Sequence, residues 1–513
     1  MGSYQSKLPA DVSAHEKAVI DRLRALQLEN GQGTDEEYIK VDGDQTNEKT
    51  RDLAQSRQPE AVSVSVITKW QDTLLSDPKN RLALSALSAV NPRDILTSRA
   101  TKIREPQVFN VKIPFEGGPI TNQRNSGRCW IFASLNTFRV ALAQKYNLDE
   151  FELSQAYPFF WDKLEKSNWF LEQIISTADQ DVDSRLVQTM LHEPLSDGGQ
   201  WDMIYNLVSK YGLVPQALYP DSFNASYSSI INSILFTKLR EDALTLRKLL
   251  RNPSTTAEIL SGAKARMMKE VHTILTLTLG PPPSADEEFE WSFTDKTGKA
   301  RTVRATPKSF ANDIYSSSFR ITSAAIANMV SLVNDPRHEP LTLMTVDRLG
   351  NIVGGRPITY INVDMATLKA ASVSMLKAGL PVFFGSDVGK FSNSTSGIMD
   401  LELIDYELGF NVSLLGMDKA SRLVTGESQM THAMVLTAVH INETSGKTIR
   451  WRVQNSWGKD VGTDGWFVMS DAWMDQFVYQ AVIDPKFLSK DVRDVLDSKA
   501  VVLPLWDPMG SLA

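Results

Sequence analysis

Residues 123–133 of the chain read Gln-Arg-Asn-Ser-Gly-Arg-Cys-Trp-Ile-Phe-Ala, and they include Cys129, the only cysteine among 513 residues. The apolar residues after Cys129 recur at helical spacing, whereas those before it favour a turn and a helix cap. The sequence therefore predicts that Cys129 lies in the first turn of a buried helix. A helix N-terminus favours the thiolate, which a nucleophilic sulfur needs. The alternative is a small buried hydrophobic residue.

Three further residues complete a candidate site for cleaving amides. Gln123 precedes Cys129 by six positions, where its amide can donate to a negative oxygen that forms near the sulfur. Among six histidines, His432 opens an apolar strand; His440 closes that strand and competes as the base, but it adjoins the polar turn 442–446. Asn455 can orient an imidazole without adding a charge, and Trp457 can shield their hydrogen bond from water.

Composition restricts the class of protein. The length suggests two or three domains, and the 42% apolar and 22% charged content is that of a soluble globular protein. No membrane-spanning stretch or secretory segment is apparent. One cysteine makes no intrachain disulfide, which fits a reducing compartment and predicts a cytoplasmic protein. The net charge of −7 gives no overall attraction to nucleic acid.

Two motifs carry a resemblance to a known family. Gln-x-x-x-Gly-x-Cys-Trp at 123–130 resembles the active-site segment of papain-like cysteine peptidases, and residues 122–130 together resemble their bleomycin hydrolase branch. That branch usually has other residues in place of Arg124 and Asn125. The His-Ala pair at His432 and the Asn-Ser-Trp-Gly segment that begins at Asn455 are similar to the family's remaining catalytic segments, and the order Cys129, His432, Asn455 is also the family's.

The resemblance implies an α+β, papain-like fold with a large helical insertion and an N-terminal extension. The expected parts are a polar extension with one amphipathic helix at 1–62, a helical half that carries the nucleophile at 63–204, an inserted, mainly helical domain with a β-hairpin at 205–356, and a β-rich half with a docked C-terminal tail at 357–513. Helical spacing predicts helices that include 65–75, 81–90, 203–211, 229–250, 256–277, 307–314 and 365–378. Alternation around Asp295 predicts the hairpin.

The resemblance also implies an activity. It is that of an aminopeptidase that hydrolyses short peptides and amides with a free α-amine, bleomycin and homocysteine thiolactone included, through a Cys-His-Asn acyl-enzyme mechanism. No metal or cofactor is expected, and the assembly is a ring-shaped homohexamer. Gly198 and Gly199 resemble a glycine pair that hydrogen-bonds extended substrates; a plain turn is the alternative.

The last eleven residues, 503–513, read Leu-Pro-Leu-Trp-Asp-Pro-Met-Gly-Ser-Leu-Ala. Pro504 and Pro508 forbid a continuous helix, and the segment is too apolar for a free end, so it is predicted to dock in an extended form. In the resembling family this tail lies in the active-site cleft, where its carboxylate, here that of Ala513, can pair with a substrate's α-ammonium. The family usually has one further residue.

Two other hypotheses stay open. A basic stretch at 296–308 can serve a nucleic-acid-binding or scaffolding ring with a vestigial peptidase site, although the acidic residues at 286–288 beside it favour a solvated hairpin face. Gly2 fits the myristoylation pattern, either functionally or by chance. One myristoyl chain gives at most weak, reversible membrane contact.

Overall fold

The structure, a computed structural model, describes residues 60–312 and 326–511 together with the backbone at 315–316 and 321–325. Among the described residues, those from 60 to 81 belong to one compact unit and those from Leu82 onward to another. Helix α1 (Val64–Ser76) lies in the first unit, and helix α2 (Pro78–Leu87) spans the division. Both predicted helices of this region are confirmed, with shifted ends. The expected amphipathic helix of the extension and Gly2 lie outside the described residues.

Helices dominate the chain between residues 90 and 330. They are α3 (Pro92–Ile95), α4 (Arg99–Arg104), α5 (Cys129–Lys145), α6 (Ala156–Ser176), α7 (Arg185–His192), α8 (Trp201–Tyr211), α9 (Phe223–Ser226), α10 (Ser229–Leu250), α11 (Ala257–Leu279), α12 (Pro307–Asn312) and α13 (Ser323–Asn328). The predicted helices at 203–211, 229–250, 256–277 and 307–314 correspond to α8, α10, α11 and α12. Helices α10 and α11 pack against α6.

The later part of the chain is rich in strands, with shorter helices between them. The helices there are α14 (Met365–Lys377), α15 (Tyr406–Phe410), α16 (Lys419–Thr425), α17 (Asp471–Phe477) and α18 (Lys490–Asp494). Two small antiparallel pairs stand apart from the main sheet. They are β2 (Phe289–Thr294) with β3 (Ala300–Ala305), which is the predicted hairpin, and β4 (Tyr315–Ser316) with β5 (Ile321–Thr322).

Twelve strands form the main sheet of the described chain. They are β1 (Val111–Lys112), β6 (Val330–Val333), β7 (Thr342–Val346), β8 (Tyr360–Asn362), β9 (Val382–Ser386), β10 (Ser392–Asn393), β11 (Ile398–Met399), β12 (His432–Ile441), β13 (Thr448–Gln454), β14 (Trp466–Ser470), β15 (Val478–Ile483) and β16 (Val501–Leu503). Their order is β10-β11-β14-β13-β12-β9-β15-β6-β8-β7-β16, and β1 pairs with β12.

Strands β6 and β7 were not predicted from the sequence. They fall within 205–356, the range expected to be mainly helical, yet they join the same sheet as the strands after residue 357. Each is only four or five residues long, too short for an alternating pattern to be distinguished from a helix segment. The boundary at residue 356 stays a prediction.

The core brings α5 onto the sheet. Every residue of α5 from Cys129 to Ala143 is buried, as expected of a helix that is apolar nearly all round. The helix packs against β12, the strand that begins at His432 and lies between β13 and β9. The α+β architecture predicted from the sequence is therefore confirmed, and it places the first turn of α5 against the start of β12.

Candidate active site

Cys129 is the first residue of α5 and only 2% exposed. Burial raises the pKa of its thiol to about 11. The backbone N–H groups of Ala433, Trp130 and Cys129 itself act in the opposite direction and lower that pKa. Burial and the backbone donors at the helix N-terminus therefore act on the Cys129 thiol in opposite directions, and the thiolate expected from the sequence stays a prediction.

His432 and Asn455 meet because their strands are antiparallel neighbours. The register that pairs Val435 with Gln454 brings the start of β12 beside the end of β13. His432 Nε2 lies 2.8 Å from Asn455 Oδ1. An amide oxygen only accepts hydrogen bonds, so Nε2 carries the proton and Nδ1 is left as a base. Burial lowers the pKa of His432 to about 4, although Asn455 raises it.

Trp457 lies over this pair, as the sequence suggested. Its ring centroid is 4.8 Å from that of His432, with the planes inclined by 32°. The neighbouring Gly458 has φ +81°, and a Cβ there would lie 2.5 Å from Asn122 Nδ2, so the turn after Trp457 requires glycine. The indole is thereby held where it limits the access of water to the hydrogen bond between His432 and Asn455.

Gln123 is held between two serines. Ser456 Oγ donates to Gln123 Oε1 at 2.7 Å, and Gln123 Nε2 donates to the Ser126 carbonyl at 2.8 Å. The Gln123 backbone N–H donates to the Ser456 carbonyl at 2.8 Å. Because Ser456 follows Asn455 directly, these bonds fix the Gln123 amide relative to the end of β13. Ser456 has no role in the sequence prediction, and its place within the Asn-Ser-Trp-Gly motif is the only signal that could have found it.

The pair Gly198 and Gly199 lies beside α5, the helix that begins at Cys129. A Cβ on Gly199 would lie 2.5 Å from the Trp130 ring, so this contact requires glycine. The Gly198 carbonyl accepts from Lys166 Nζ at 2.5 Å, and its N–H donates to Ser196 Oγ at 3.1 Å. The backbone groups of Gly198 are thus engaged within the protein. Binding of substrate by either glycine stays a prediction.

The C-terminal tail is docked along its described length. Strand β16 pairs in parallel with β7, and beyond β16 the described chain has a single helical part, a 3-10 turn at Pro508–Gly510. Gln200 Nε2 donates to the Ser511 carbonyl at 2.9 Å, and Ser511 Oγ donates to the Met430 carbonyl at 2.7 Å. The tail therefore reaches residues that adjoin the glycine pair and His432. Ala513 lies outside the described residues.

Two arginine side chains hold that tail in place, and neither was identified from the sequence. Arg337 holds Asp507 with two hydrogen bonds of 2.8 and 3.2 Å. The guanidinium of Arg185 lies 4.2 Å from the Trp506 ring centroid. A cavity of about 820 Å³ opens along the same segment. Each contact joins residues far apart in the chain, so no local pattern could have predicted it.

The basic stretch of the hairpin is largely paired. Ion pairs join Arg301 to Asp295 at 3.1 Å and Lys308 to Asp286 at 3.1 Å. Arg304 lies 2.8 Å from Glu290 on the facing strand. This neutralisation favours the interpretation of a solvated hairpin face over a nucleic-acid site.

The described residues form neither a metal cluster nor a membrane span. No group of three or more His, Cys, Asp or Glu side chains there could hold a metal ion. No described helix combines the length and apolarity that crossing a bilayer requires.

The buried His432 predicts a pH-dependent contribution to stability. Its folded pKa of about 4 lies below the value of 6.5 for an exposed imidazole, so the unfolded chain binds the proton more tightly. This contribution is present above about pH 6.5 and is lost as pH falls toward 4, a change of about 3 kcal/mol. We expect His432→Gln to flatten the pH dependence of the free energy of unfolding, measured in urea from about pH 7 to about pH 4. An unchanged slope would contradict the buried neutral imidazole.

Comparison with known proteins gives consistent matches over most of the chain. The profile of the Peptidase C1-like family matches residues 61–510. Cysteine proteinase 1, mitochondrial, of Saccharomyces cerevisiae (strain JAY291) is 43% identical over 464 residues, covering 89% of this chain and 94% of the relative. Bleomycin hydrolase of Homo sapiens is 42% identical over 446 residues, covering 86% and 96%. The crystal structure of PepW from Lactobacillus rhamnosis HN001 superposes with a TM-score of 0.83 at 39% identity, covering 88% and 99%.

Proposed function

Because this chain belongs to the Peptidase C1-like family, as a cysteine peptidase similar to the bleomycin hydrolases, we propose that it is an aminopeptidase acting on short peptides and amides with a free α-amine. The papain-like fold expected from the sequence is confirmed by the family match and by the structural superposition. The observation that supports the exopeptidase proposal is the position of Ser511, the last described residue of the tail, which bonds to Gln200 beside the glycine pair and to Met430 near His432.

The proposed chemistry is acyl transfer through Cys129. His432 Nδ1 takes the thiol proton to form a thiolate–imidazolium pair. The thiolate attacks the amide carbon, and the carbonyl oxygen becomes an oxyanion. When the oxyanion collapses, the C–N bond breaks and His432 returns the proton to the leaving amine. Water, deprotonated by His432, then releases the acid and restores the thiol. Burial opposes charge on both groups, so the pair depends on the backbone donors to the sulfur and on the hydrogen bond from the imidazolium to Asn455.

Asn455 and Trp457 are proposed to maintain the base. The Asn455 oxygen holds Nε2–H and so keeps Nδ1 unprotonated and aimed away from that contact. When His432 gains its second proton, the same hydrogen bond joins a charged donor and becomes stronger. Trp457 keeps water from competing for it. These residues therefore stabilise the imidazolium that takes part in the reaction.

Gln123 and the Cys129 backbone N–H are the proposed oxyanion donors. One Gln123 amide hydrogen is used by Ser126, and the second is the candidate donor to the oxyanion. We expect Gln123→Ala to lower kcat by about 10²–10³ with little change in KM, since the donor acts mainly in the transition state. Steady-state kinetics on an amino-acid arylamide measure this. Gln123→Glu is the matched control: it keeps the acceptor for Ser456 without the donor, and activity near wild type in it would contradict the assignment.

A direct test of the proposed activity compares two versions of one peptide. The free-amine form should be cleaved from its N-terminus, one residue at a time, and the N-acetylated form should resist. Mass spectrometry of the products distinguishes this order from internal cleavage. Products cut only at internal bonds would refute aminopeptidase action while leaving the peptidase class intact. Bleomycin and homocysteine thiolactone are the proposed further substrates, because a relative at 42% identity is named for the first.

Assembly as a homohexamer is also proposed. The segment 408–417 supports it, because five of its apolar side chains are at least 40% exposed: Leu408, Phe410, Val412, Leu414 and Leu415. Light scattering of the purified protein tests it, and a monomer at working concentration would refute it. The alternative of a nucleic-acid-binding ring predicts salt-dependent retention on DNA.

A cytoplasmic location is proposed from the sequence. The single cysteine fits a reducing compartment, whereas the yeast relative is named mitochondrial. Cell fractionation tests the location. Intact-mass measurement of protein from its native cell tests lipidation of Gly2.

A further inference from the structure

Asp197 accepts hydrogen bonds from three different parts of the chain. Its side chain is 10% exposed and forms an ion pair with Lys163 of α6, which is fully buried. Asn232 Nδ2 of α10 donates to Asp197 Oδ1 at 2.9 Å, and Ser228, the N-cap residue of α10, donates to Oδ2. Oδ2 also accepts the backbone N–H of Gly127 at 3.1 Å. The Asp197 carboxylate therefore connects α6 and α10 to residues 123–128, the loop that precedes Cys129 and is called the nucleophile loop below.

The loop contact is close and reinforced. A Cβ on Gly127 would lie 2.6 Å from Asp197 Cβ, so the two segments touch at a point where only glycine fits. The Asp197 carbonyl accepts Trp130 Nε1–H at 2.7 Å. Asp197 is thus bonded to residues on both sides of Cys129. Arg128, at the N-cap of α5, makes no side-chain capping bond to that helix, so the loop depends on such outside contacts.

From this arrangement we propose that Asp197, held by its pair with Lys163, is a positioning residue that fixes the backbone of the nucleophile loop and hence the direction of the Cys129 thiol and N–H. The inference rests on the proposed role of Cys129 as nucleophile. It also gives α10 an indirect part in catalysis, because Ser228 at its N-cap and Asn232 within it hold the carboxylate in place.

The charge of Asp197 does not explain its presence beside Cys129. Burial alone would raise the pKa of Asp197, but Lys163 and the bonds from Ser228 and Asn232 hold it below its usual range, so the group is ionised. A negative charge there raises the pKa of the Cys129 thiol, which opposes formation of the nucleophile. The useful contribution is therefore the hydrogen-bond geometry, with Lys163 neutralising a charge that would otherwise be costly to bury.

Two double variants separate geometry from charge. Lys163→Met with Asp197→Asn removes both charges but keeps a side-chain oxygen that accepts the Gly127 N–H. The Asn232 amide can turn over so that its Oδ1, which has no hydrogen-bond partner within the described structure, accepts from the NH₂ group of the new asparagine. Lys163→Met with Asp197→Leu removes the same charges and the acceptor while keeping the branched shape of the side chain. The two variants therefore differ mainly in the hydrogen bond to the nucleophile loop.

The expected result is a kcat, per folded molecule, that falls about 10- to 100-fold in the Leu variant with KM within about threefold, because small misplacements of reacting groups carry such costs. The kcat of the Asn variant is expected to be at least about fivefold higher than that of the Leu variant. Folded fraction is measured by near-ultraviolet circular dichroism. Equal kcat in both double variants would overturn the proposal and leave Asp197 a purely structural partner of Lys163.

A milder variant tests the same proposal with less risk of misfolding. Ser228→Ala with Asn232→Ala keeps the ion pair and the Gly127 hydrogen bond but removes two other hydrogen bonds to the Asp197 carboxylate. We expect kcat to fall about three- to tenfold with KM unchanged. An unchanged kcat would also overturn the proposal. Lys238→Met with Asp242→Asn is the matched control. It removes the 2.8 Å ion pair within α10 and the pair of Lys238 with Glu270 of α11, neither of which involves Asp197, so only stability should change. Activity surviving in Cys129→Ala would instead refute the proposed function.

Discussion

Cys129→Ala is expected to reduce peptidase turnover on the order of 10⁶-fold, the scale seen when an acyl-transfer enzyme loses its nucleophile. The oxyanion donors and His432 remain in this variant, but the covalent intermediate cannot form. The side chain loses one atom from a site that is 2% exposed, so the cavity is small and the fold should persist. Burial opposes deprotonation of the Cys129 thiol, so its removal creates no unpaired charge.

The test has a clear control on the same helix. Ser134→Ala also removes one buried polar atom, a hydroxyl that donates to the Trp130 carbonyl at 2.7 Å, and it should leave kcat within about threefold because it touches no reacting group. Turnover is measured on an amino-acid arylamide, with iodoacetamide as the probe. Because the chain has one cysteine, alkylation reports on Cys129 alone. Iodoacetamide-sensitive turnover in Cys129→Ala would refute the nucleophile assignment.

Local sequence patterns predicted those parts of the site that lie within short segments. The helix that begins at Cys129, the strand that begins at His432 and the position of Asn455 after a strand all follow from spacing within about twenty residues. Helix α10 has the predicted bounds, Ser229–Leu250, because a long apolar periodicity and polar flanks agree. The meeting of His432 with Asn455 was inferred from motif resemblance, and the antiparallel register of β12 and β13 supplies its physical cause.

The remaining features depend on contacts between distant segments. Asp197 before two glycines predicts only a turn; nothing near it in the sequence indicates that Lys163 will be buried beside it. The electrostatic environment of the site depends on such contacts as well. A helix N-terminus is visible in sequence, but the degree of burial that raises the pKa of Cys129 and lowers that of His432 depends on how the sheet, α5 and the tail pack together.

Removal of residues 509–513 is expected to weaken selection for a free amine and to admit longer peptides. The anchors of the tail, Arg337 with Asp507 and Arg185 with Trp506, lie before the cut and should hold the shortened segment in place. If the end of the tail pairs with the substrate's α-ammonium, its loss costs about 2–5 kcal/mol, so the preference for a free over an acetylated amine should fall roughly 30- to 5,000-fold.

Met509 complicates that deletion, because it is 2% exposed and its loss leaves a cavity. A second variant that lacks only residues 511–513 keeps Met509 in place and removes the Ser511 contacts to Gln200 and Met430. Both variants are compared with the full chain on one peptide in free and N-acetylated form, and each is repeated with Cys129→Ala to exclude a contaminating protease. An undiminished preference for the free amine in both would show that other residues recognise the α-ammonium. Cleavage of the acetylated peptide at internal bonds would show that the cleft is that of an endopeptidase, closed at one end by the chain's own terminus.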